Sequence, residues 1–275
     1  MTTPSITFIG AGNMARALIG GLIADGTEPT RLRAADPHPE ALERIAQLGP
    51  VLTGTDSLDA ASGAQVVVLA VKPQVMKAVA ESLAPILTEG QLIVSIAAGI
   101  RVADLSRWLG GHRRIVRAMP NTPALVQCGA TGLYAPDGLD EDSRSRAESI
   151  LRAVGLTLWV EDEAQMDAVT ALSGSGPAYF FLAMEAMQAA GEKLGLTRES
   201  ARLLTLETAL GAARLAIESS EDIALLRERV TSPGGTTERG LAALQAGGLH
   251  MLFEQALAAA HNRAGELADQ LGAQS

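Results

Sequence analysis

The feature that most limits how this chain folds is a strand, a glycine-rich turn and a helix at its N-terminal end. Residues 5–9 form a short apolar strand, and the turn Gly10-Ala11-Gly12-Asn13-Met14-Ala15 leads into a helical pattern that ends near Asp25. In dinucleotide-binding folds the first glycine makes the tight turn, the second admits the pyrophosphate, and the helix N-terminus faces the phosphate charge. A glycine-rich turn for close packing is the alternative interpretation. The position between a strand and a helix favours nucleotide binding.

Strands and helices alternate through the first half of the chain. Apolar runs predict strands at residues 31–35, 66–71, 91–96 and 114–118, and helical patterns lie at 41–48, from 73 onward and at 102–109. Repeated strand–helix units predict a doubly wound parallel sheet. The strand ends at 10–12, 70–73, 97–99 and 119–122 are expected at one edge, where a cofactor would lie. Closing strands are predicted at 131–134 and 157–160, with a helix at 141–154 between them.

A carboxylate follows the second predicted strand. Asp36 lies about 20 residues beyond the glycine turn, where an acid commonly holds the ribose hydroxyls of a dinucleotide. A 2′-phosphate there would meet a repulsion of roughly 3 kcal/mol, at an effective dielectric constant of ~20 and a separation of ~5 Å. Asp36 therefore favours tolerance of NADH, unless it rotates away or Arg33 or His38 offsets its charge. Capping of the following helix is the alternative role.

The pattern changes after residue 162. Long apolar stripes of helical period predict helices at residues 164–172, 178–194, 198–218, 221–230, 237–246 and 249–271, with Thr197 and Ser220 as N-caps. The break Ser173-Gly174-Ser175-Gly176-Pro177 lacks the lysine and the strand of a phosphate loop, so a kink for close packing is favoured over a ligand contact. The apolar faces exceed what one small bundle buries. We therefore predict a nucleotide-binding domain at residues 1–162 and a helical dimerisation and substrate-binding domain at 163–275, with a monomeric helical domain as the alternative.

One loop in the helical half is suited to a small anion. In Ser232-Pro233-Gly234-Gly235-Thr236-Thr237 a tight turn runs directly into a helix that begins near Thr237. The glycines let the backbone approach a ligand, and the N–H groups at a helix start lack acceptors and carry partial positive charge. The loop contains no obvious general base or nucleophile. It therefore predicts a carboxylate-binding site to which another molecule brings the reactive group.

Composition limits the partners and the location. The formal net charge is −9 and Lys and Arg form no cluster, so nucleic acid and anionic membranes are not expected as partners. Cys128 is the lone cysteine, so an internal disulfide and a multi-cysteine metal site are excluded. Its side chain is expected to be packed. The sequence has no charged-then-apolar leader, and no apolar run approaches the ~20 residues of a membrane span. We expect a soluble cytoplasmic protein without a metal.

Motifs along the chain resemble those of one enzyme family. They are Phe8-Ile9-Gly10-Ala11-Gly12-Asn13-Met14, Ala70-Val71-Lys72-Pro73, Ala118-Met119-Pro120-Asn121-Thr122-Pro123-Ala124, Ser173-Gly174-Ser175-Gly176-Pro177 and Ser232-Pro233-Gly234-Gly235-Thr236-Thr237. The chain is similar in these motifs to the pyrroline-5-carboxylate reductases. The resemblance implies reduction of 1-pyrroline-5-carboxylate to L-proline by NADPH or NADH, the last step of proline synthesis. It also implies an N-terminal Rossmann domain, a C-terminal helical dimerisation domain, and homodimers that often assemble into decamers.

The resemblance also implies roles for individual residues. It implies that the substrate is bound by Ser232, Gly234, Gly235, Thr236 and Thr237, with Thr237 as the catalytic residue at the ring nitrogen. It implies that the cofactor is bound by Gly10, Gly12, Asn13, Met14, Ala70, Val71, Lys72, Pro73, Ala97 and Asn121, to which the spacing after the glycine turn adds Asp36. Asp36 is the main departure, because NADPH-preferring relatives often have Ser or Thr there. The preference between NADPH and NADH therefore stays open.

The residues available for proton transfer favour an imine over a ketone as the substrate. Reduction of a ketone needs an acid such as Lys or His for the developing alkoxide, whereas an imine nitrogen can take its proton from solvent. The lysines are Lys72, Lys77 and Lys193, and all are distant in sequence from the loop at residues 232–237. Exposed positions are expected for the histidines, which are His38, His112, His250 and His261. A related imine reductase or a β-hydroxyacid dehydrogenase on the same plan is the alternative function. A redox-sensing nucleotide-binding module without catalysis is a further alternative, and the proton donor stays open.

Overall fold

The computed structural model describes residues 4–273 and divides the chain into two compact units. The first unit comprises the chain up to Ser175 together with the segment from Ala259 onward, and the second unit is Gly176–Ala258. The first unit contains an eight-stranded sheet. Its strands are β1 (Ile6–Ile9), β2 (Leu32–Ala35), β3 (Leu52–Gly54), β4 (Val66–Leu69), β5 (Leu92–Ser95), β6 (Ile115–Met119), β7 (Gly129–Tyr134) and β8 (Gly155–Trp159).

The sheet has the order β3-β2-β1-β4-β5-β6-β7-β8. Neighbouring strands pair in parallel except β6 and β7, which pair antiparallel. The central strands β1, β4 and β5 are buried along their whole length, as parallel strands covered on both faces are. The predicted doubly wound sheet is confirmed. The antiparallel β7 is a departure, because apolar periodicity does not specify the direction of a strand.

Helices cover both faces of this sheet. They are α1 (Asn13–Ala24), α2 (Pro39–Ala46), α3 (Ser57–Ala61), α4 (Pro73–Leu83), α5 (Val102–Trp108), α6 (Glu141–Arg152) and α7 (Gln165–Val169). Phe8 and Leu18 belong to the core cluster on one face, and Ile9 and Met76 belong to the cluster on the other. The adjacent residues Phe8 and Ile9 enter different cores because successive strand residues point to opposite faces. The first unit is therefore a layered α/β structure with two apolar cores.

The sequence pattern does not predict the edge strand β3 or the short helix α3. Every residue of β3 is exposed, so no apolar alternation marks the strand. Helix α3 has only five residues, and its N-cap Asp56 accepts hydrogen bonds from the backbone N–H groups of Leu58 and Asp59. An Asp before a short polar helix carries little signal in the sequence.

The predicted break in the helix after residue 172 is a π-helical turn. Helix α7 ends at Val169, and Thr170–Gly174 form the π turn. The backbone N–H of Ser175 donates to the carbonyl of Thr170 at 2.9 Å, five residues earlier. The sequence predicts the position of this irregularity but not its type.

The second unit is helical, as predicted. Its helices are α8 (Gly176–Lys193), α9 (Arg198–Glu218), α10 (Ile223–Arg229), α11 (Thr236–Ala246) and the first part of α12 (Leu249–Gly272), which continues into the first unit. Thr197 caps α9 as predicted, since its Oγ1 accepts a hydrogen bond from the N–H of Ser200. The prediction of Ser220 as the cap of the next helix is wrong. Helix α10 begins later, and the carboxylate of Asp222 caps it by accepting from the N–H of Ala224 at 2.8 Å.

The second unit has almost no core within the single chain. Within Gly176–Ala258 the buried residues are Gly176, Ala201 and Thr205. Helices α8 and α9 pack closely at Gly191, where a Cβ would lie 3.3 Å from that of Ala201. Their outer faces carry large exposed side chains, among them Phe180, Phe181, Leu182, Leu210, Leu215 and Ile217. Exposed apolar area of this extent marks a surface that associates with another protein chain.

Candidate active site

The glycine turn after β1 has the geometry that a bound dinucleotide needs. Gly10 has φ +99°, and a Cβ there would lie 2.7 Å from the carbonyl oxygen of Ala70, so glycine is required. Gly12 is the N-cap of α1, and no atom lies within 4 Å of the place its Cβ would take. Asn13 and Met14 form the first turn of α1. A helix N-terminus with space beside its N-cap is suited to a phosphate group.

The other predicted cofactor residues lie where neighbouring strands end. Strands β1, β4, β5 and β6 are adjacent and parallel, so their carboxyl ends share one edge of the sheet. Ala70 and Val71 follow β4, Lys72 is the exposed N-cap of α4, Pro73 is its first residue, Ala97 follows β5, and Asn121 follows β6. The strand order reverses between β1 and β4, which is where open α/β sheets bind ligands. The fold thus brings these residues to one edge, and their contacts with the cofactor stay a prediction.

Asp36 is held by hydrogen bonds to the glycine turn. Its Oδ2 accepts from the backbone N–H of Ala11 at 2.8 Å, and its Oδ1 accepts from the backbone N–H of His38 at 2.9 Å. Nδ1 of His38 lies 2.9 Å from the same Oδ1. Burial raises the pKa of Asp36, but the hydrogen bonds from Ala11 and His38 outweigh this effect and hold the pKa below its ordinary value. Asp36 is therefore an anion fixed beside the turn.

Two of the alternatives considered for Asp36, helix capping and rotation away, disagree with its contacts, whereas His38, named in the third, does contact its Oδ1 at 2.9 Å. The N-cap of α2 is His38, and no side-chain cap hydrogen bond is made there, so the capping interpretation is wrong. Both carboxylate oxygens of Asp36 are engaged, so rotation away from the turn would break hydrogen bonds to Ala11 and His38. The contact with Ala11 was not predicted, because the sequence does not reveal that the β2 end lies against the glycine turn.

The predicted carboxylate loop lies in the second unit, directly before α11. Gly234 has φ +73°, a left-handed conformation that favours glycine, and Gly235 is the N-cap with no side-chain cap hydrogen bond. Ser232, Thr236 and Thr237 are exposed. The helix begins at Thr236, one residue earlier than predicted. The N–H groups of its first turn have no acceptor within the helix, as in any helix N-terminus.

A carboxylate of the chain already contacts this loop. Oε2 of Glu238 accepts a hydrogen bond from the backbone N–H of Gly234 at 2.8 Å. Sequence reasoning missed Glu238, although it stands three residues after the N-cap Gly235, the position of the acid in a capping box. The backbone N–H of Gly234 therefore accommodates a carboxylate oxygen.

Two expectations about ionisable residues outside the loop are wrong. His112 is half-buried rather than exposed, and its Nε2 lies 2.9 Å from the carbonyl oxygen of Gln91. Burial lowers the pKa of His112. Cys128 is exposed rather than packed. Within residues 4–273 no three His, Cys, Asp or Glu side chains group as metal ligands, and no helix there has the length and hydropathy to cross a membrane.

Comparisons with known proteins agree with this geometry. Family models described as "Pyrroline-5-carboxylate reductase dimerisation" and "NADP oxidoreductase coenzyme F420-dependent" match residues 163–267 and 5–99. The pyrroline-5-carboxylate reductase of Pseudomonas aeruginosa is 57% identical, over 99% of this chain and 100% of its own. The solved Coxiella burnetii pyrroline-5-carboxylate reductase has a TM-score of 0.93 at 51% identity, covering 97% of this chain and 99% of its own. A Plasmodium falciparum pyrroline carboxylate reductase solved with NADP bound has a TM-score of 0.86 at 28% identity, covering 98% and 99%.

The sheet, the glycine turn and the strand-end residues define a Rossmann-type oxidoreductase that uses a nicotinamide nucleotide. The identity with the relatives over almost the whole chain narrows the class: the chain belongs to the pyrroline-5-carboxylate reductases. It reduces 1-pyrroline-5-carboxylate to L-proline with NAD(P)H, acting on a C=N bond. Its C-terminal half carries the dimerisation domain of that family.

Proposed function

We propose that the loop at residues 232–237 binds the carboxylate of 1-pyrroline-5-carboxylate and that Thr237 holds its ring nitrogen. The observation that carries the proposal is the first turn of α11. Its N-cap is Gly235 and has no side-chain cap, and the adjacent N–H of Gly234 already binds the Glu238 carboxylate. The hydroxyls of Ser232 and Thr236 supply further donors beside these N–H groups.

The energies of such contacts are sufficient for a small substrate. A hydrogen bond from a backbone N–H to a carboxylate contributes ~1.5–3 kcal/mol. The positive end of α11 adds roughly 0.3–1 kcal/mol for an anion near its first turn. Two or three of these contacts fix the ring by its carboxylate, which leaves the C=N bond to be oriented by Thr237.

We propose that the nucleotide lies along the strand edge of the first unit. In this proposal Gly10, Gly12, Asn13 and Met14 bind the pyrophosphate, Asp36 binds the adenine-side ribose, and Ala70, Val71, Lys72, Pro73, Ala97 and Asn121 line the second ribose and the nicotinamide. The empty space beside Gly12 supports it, because a Cβ would meet nothing within 4 Å there. When bound, NAD(P)H supplies the hydride. The residues of the edge orient the ring and exclude water from it.

Reduction of the C=N bond requires little acid catalysis by the protein. The ring carbon of the C=N bond receives the hydride, and the nitrogen receives one proton, so an N–H amine replaces the imine. Thr237 is exposed at the first turn of α11, so its hydroxyl can hold the nitrogen and pass on a proton from solvent. Orientation of this kind increases the rate, because the activation free energy is several kcal/mol lower for well-placed bound reactants than for reactants that meet in solution.

Replacement of Thr237 tests the assignment. We expect Thr237→Ala to lower kcat severalfold to about a hundredfold, because the nitrogen loses the group that orients it. Thr237→Ser keeps the hydroxyl and is the matched control, with activity within a fewfold of the wild type. Both variants should unfold at the wild-type temperature, since Thr237 is exposed. Full activity and an unchanged KM in Thr237→Ala would refute the role.

We also propose a homodimer as the smallest assembly, formed through the apolar faces of the second unit. Ile217 and Phe180 are 83% and 69% exposed in the single chain, and the match to a dimerisation model over residues 163–267 supports a second copy as the occupant. Sedimentation should give at least twice the monomer mass of 28.5 kDa. A monomer at micromolar concentration would contradict the proposal.

The finer assignments of assembly, location and partners stay predictions. They are the decamer, the cytoplasmic location, the lack of nucleic-acid partners, and the division into a nucleotide-binding domain at residues 1–162 and a dimerisation and substrate-binding domain at 163–275.

A further inference from the structure

The side chain of Asn121 uses both of its polar ends within the protein. It is 9% exposed, and its Oδ1 accepts a hydrogen bond from the backbone N–H of Ala130 at 2.9 Å. Its Nδ2 donates to the carbonyl oxygen of Ser173 at 3.0 Å. An amide engaged through both its oxygen and its nitrogen has a fixed orientation. The amide therefore joins three segments: the end of β6, the start of β7 and the segment containing Ser173.

Ser173 belongs to the π turn Thr170–Gly174. Such turns are rare and occur frequently at functional sites. The hydroxyl of Ser173 donates to the carbonyl of Val169 at 2.9 Å, and the hydroxyl of Thr170 donates to that of Met166 at 2.8 Å. These bonds are local to the turn. The Asn121 amide ties the turn to the sheet.

Small residues let the π turn lie against the ends of β6 and β7. A Cβ on Gly174 would lie 2.7 Å from Cε of Met119, the last residue of β6. A Cβ on Gly132 of β7 would lie 2.6 Å from Cγ1 of Val169, which directly precedes the turn. The turn therefore packs at the edge of the sheet where the nicotinamide is proposed to lie.

We propose that Asn121 is a positioning residue. Its hydrogen bond to the Ser173 carbonyl holds the π turn in place beside the strand ends where the nicotinamide is proposed to lie. The inference rests on the proposed placement of the nucleotide along the strand ends. The backbone of Asn121 lines that edge, while its amide acts on the turn rather than on the cofactor. A shift of the turn would change the shape of the reaction site without removing a nucleotide contact.

The substitution Asn121→Asp isolates this bond. The carboxylate keeps an acceptor for the N–H of Ala130 but sets an oxygen against the carbonyl of Ser173 instead of a donor. We expect kcat per folded site to fall about 10- to 100-fold, as a misplacement of about 1 Å does. The dissociation constant of NADPH, measured from its fluorescence, should stay within about twofold of the wild type.

The control is Gln91→Glu, which makes the same amide-to-acid change at another buried bridge. Gln91 is 4% exposed, and its Nε2 donates to the carbonyls of Ala61 and Ala64 at 2.9 and 2.8 Å. It precedes β5 and so lies at the opposite end of the sheet. We expect Gln91→Glu to lower the unfolding temperature while leaving kcat per folded site within about twofold.

A second pair of variants moves the turn without touching Asn121. Gly174→Ala places a methyl group against Met119, and the double variant Gly174→Ala/Met119→Ala restores the space. We expect the single Gly174 variant to lower kcat at constant NADPH affinity, and the double variant to recover most of the loss.

The outcomes separate the possible roles of Asn121. Loss of kcat at constant NADPH affinity in Asn121→Asp, with recovery in the double variant, supports the positioning role. A tenfold or greater weakening of NADPH binding overturns it in favour of a direct cofactor contact. Unchanged kcat per folded site with a lower unfolding temperature also overturns it, leaving only a stabilising role. Wild-type protein in the same assay tests the activity separately, because failure to reduce the pyrroline would count against the function and not against Asn121.

Discussion

Asp36 allows a sharp test of how this enzyme distinguishes its two cofactors. The carboxylate accepts hydrogen bonds from the N–H groups of Ala11 and His38 and so stays beside the glycine turn. The side chain of Asp36 is 14% exposed, and its pKa lies below the ordinary value because the hydrogen bonds outweigh burial. It is therefore ionised wherever the enzyme is assayed near neutrality. Asp36→Asn removes the charge and keeps the shape, at the loss of one acceptor, because the amide nitrogen cannot accept from an N–H group.

The expected magnitude follows from two terms. In NADH a ribose hydroxyl that donates to a carboxylate contributes ~1.5–3 kcal/mol. In NADPH the 2′-phosphate is repelled by roughly 3 kcal/mol per unit charge at ~5 Å, reduced by salt and solvent at this open edge. Their full sum would be about 4.5–6 kcal/mol, but the Asn amide keeps an acceptor for the ribose hydroxyl and salt screens the repulsion, so we expect the balance to change by about 3 kcal/mol. At 1.4 kcal/mol per factor of ten, Asp36→Asn should raise the preference for NADPH over NADH by on the order of 100-fold.

The assay compares kcat/KM and dissociation constants for both nucleotides in wild type and variant. Nδ1 of His38 lies 2.9 Å from Oδ1 of Asp36, so wild type and variant are compared at one fixed pH. Asp25→Asn is the matched control, because Asp25 is the C-cap at the opposite end of α1. A preference ratio that moves less than threefold in Asp36→Asn, or equally in Asp25→Asn, would show that Asp36 does not discriminate between the two nucleotides.

Two further predictions concern Glu238 and His112. Glu238→Gln keeps an acceptor for the N–H of Gly234 but removes a negative charge beside the proposed carboxylate site. The KM for the pyrroline should therefore fall about two- to fivefold at low ionic strength and approach the wild-type KM in about 0.5 M salt. A higher KM with no salt dependence would contradict this. Burial lowers the pKa of His112 in the folded protein below its ordinary 6.5, so the unfolded chain binds the proton more readily. The free energy of unfolding therefore decreases as the pH falls below 6.5 and through the lower pKa of the folded state. Denaturant titrations from pH 7 to 5 should therefore show a flatter dependence in His112→Asn than in the wild type, and equal slopes would count against it.

The sequence predicts the sheet well because each central strand is a short apolar run followed by a turn and a helix. Leu32–Ala35, Val66–Leu69 and Leu92–Ser95 all lie within runs predicted as strands. Strand β3 escapes prediction because its residues are exposed at the edge of the sheet. The antiparallel direction of β7 depends on the path of the chain after Asn121, which periodicity does not encode.

The candidate site is predicted in position and less so in detail. Gly10 and Gly12 follow from the strand–turn–helix context alone, since the turn requires a left-handed residue and open space. Three contacts could not be predicted from this context: those of Asp36 with Ala11, of Asn121 with Ser173 and of Glu238 with Gly234. The first two join residues distant in sequence. The third is local, but Gly235 rather than Ser or Thr is the N-cap, so the sequence lacks the full capping-box pattern.

The helical half shows a different limit of sequence reasoning. Its apolar stripes predict more buried surface than a small bundle can provide, and the second unit accordingly buries few residues within one chain. The sequence indicates that such faces need a partner. It does not indicate which faces meet, because helices α8 and α9 are apolar on several sides rather than on one.

A crystal structure with NADPH and a saturated five-membered ring carboxylate, which lacks the reducible C=N bond, would locate the substrate site. We expect the ring carboxylate to accept hydrogen bonds from N–H groups at the start of α11, with the ring next to a nicotinamide and to the hydroxyl of Thr237. A ring bound away from the loop at residues 232–237, or a nicotinamide remote from the bound ring, would contradict this expectation.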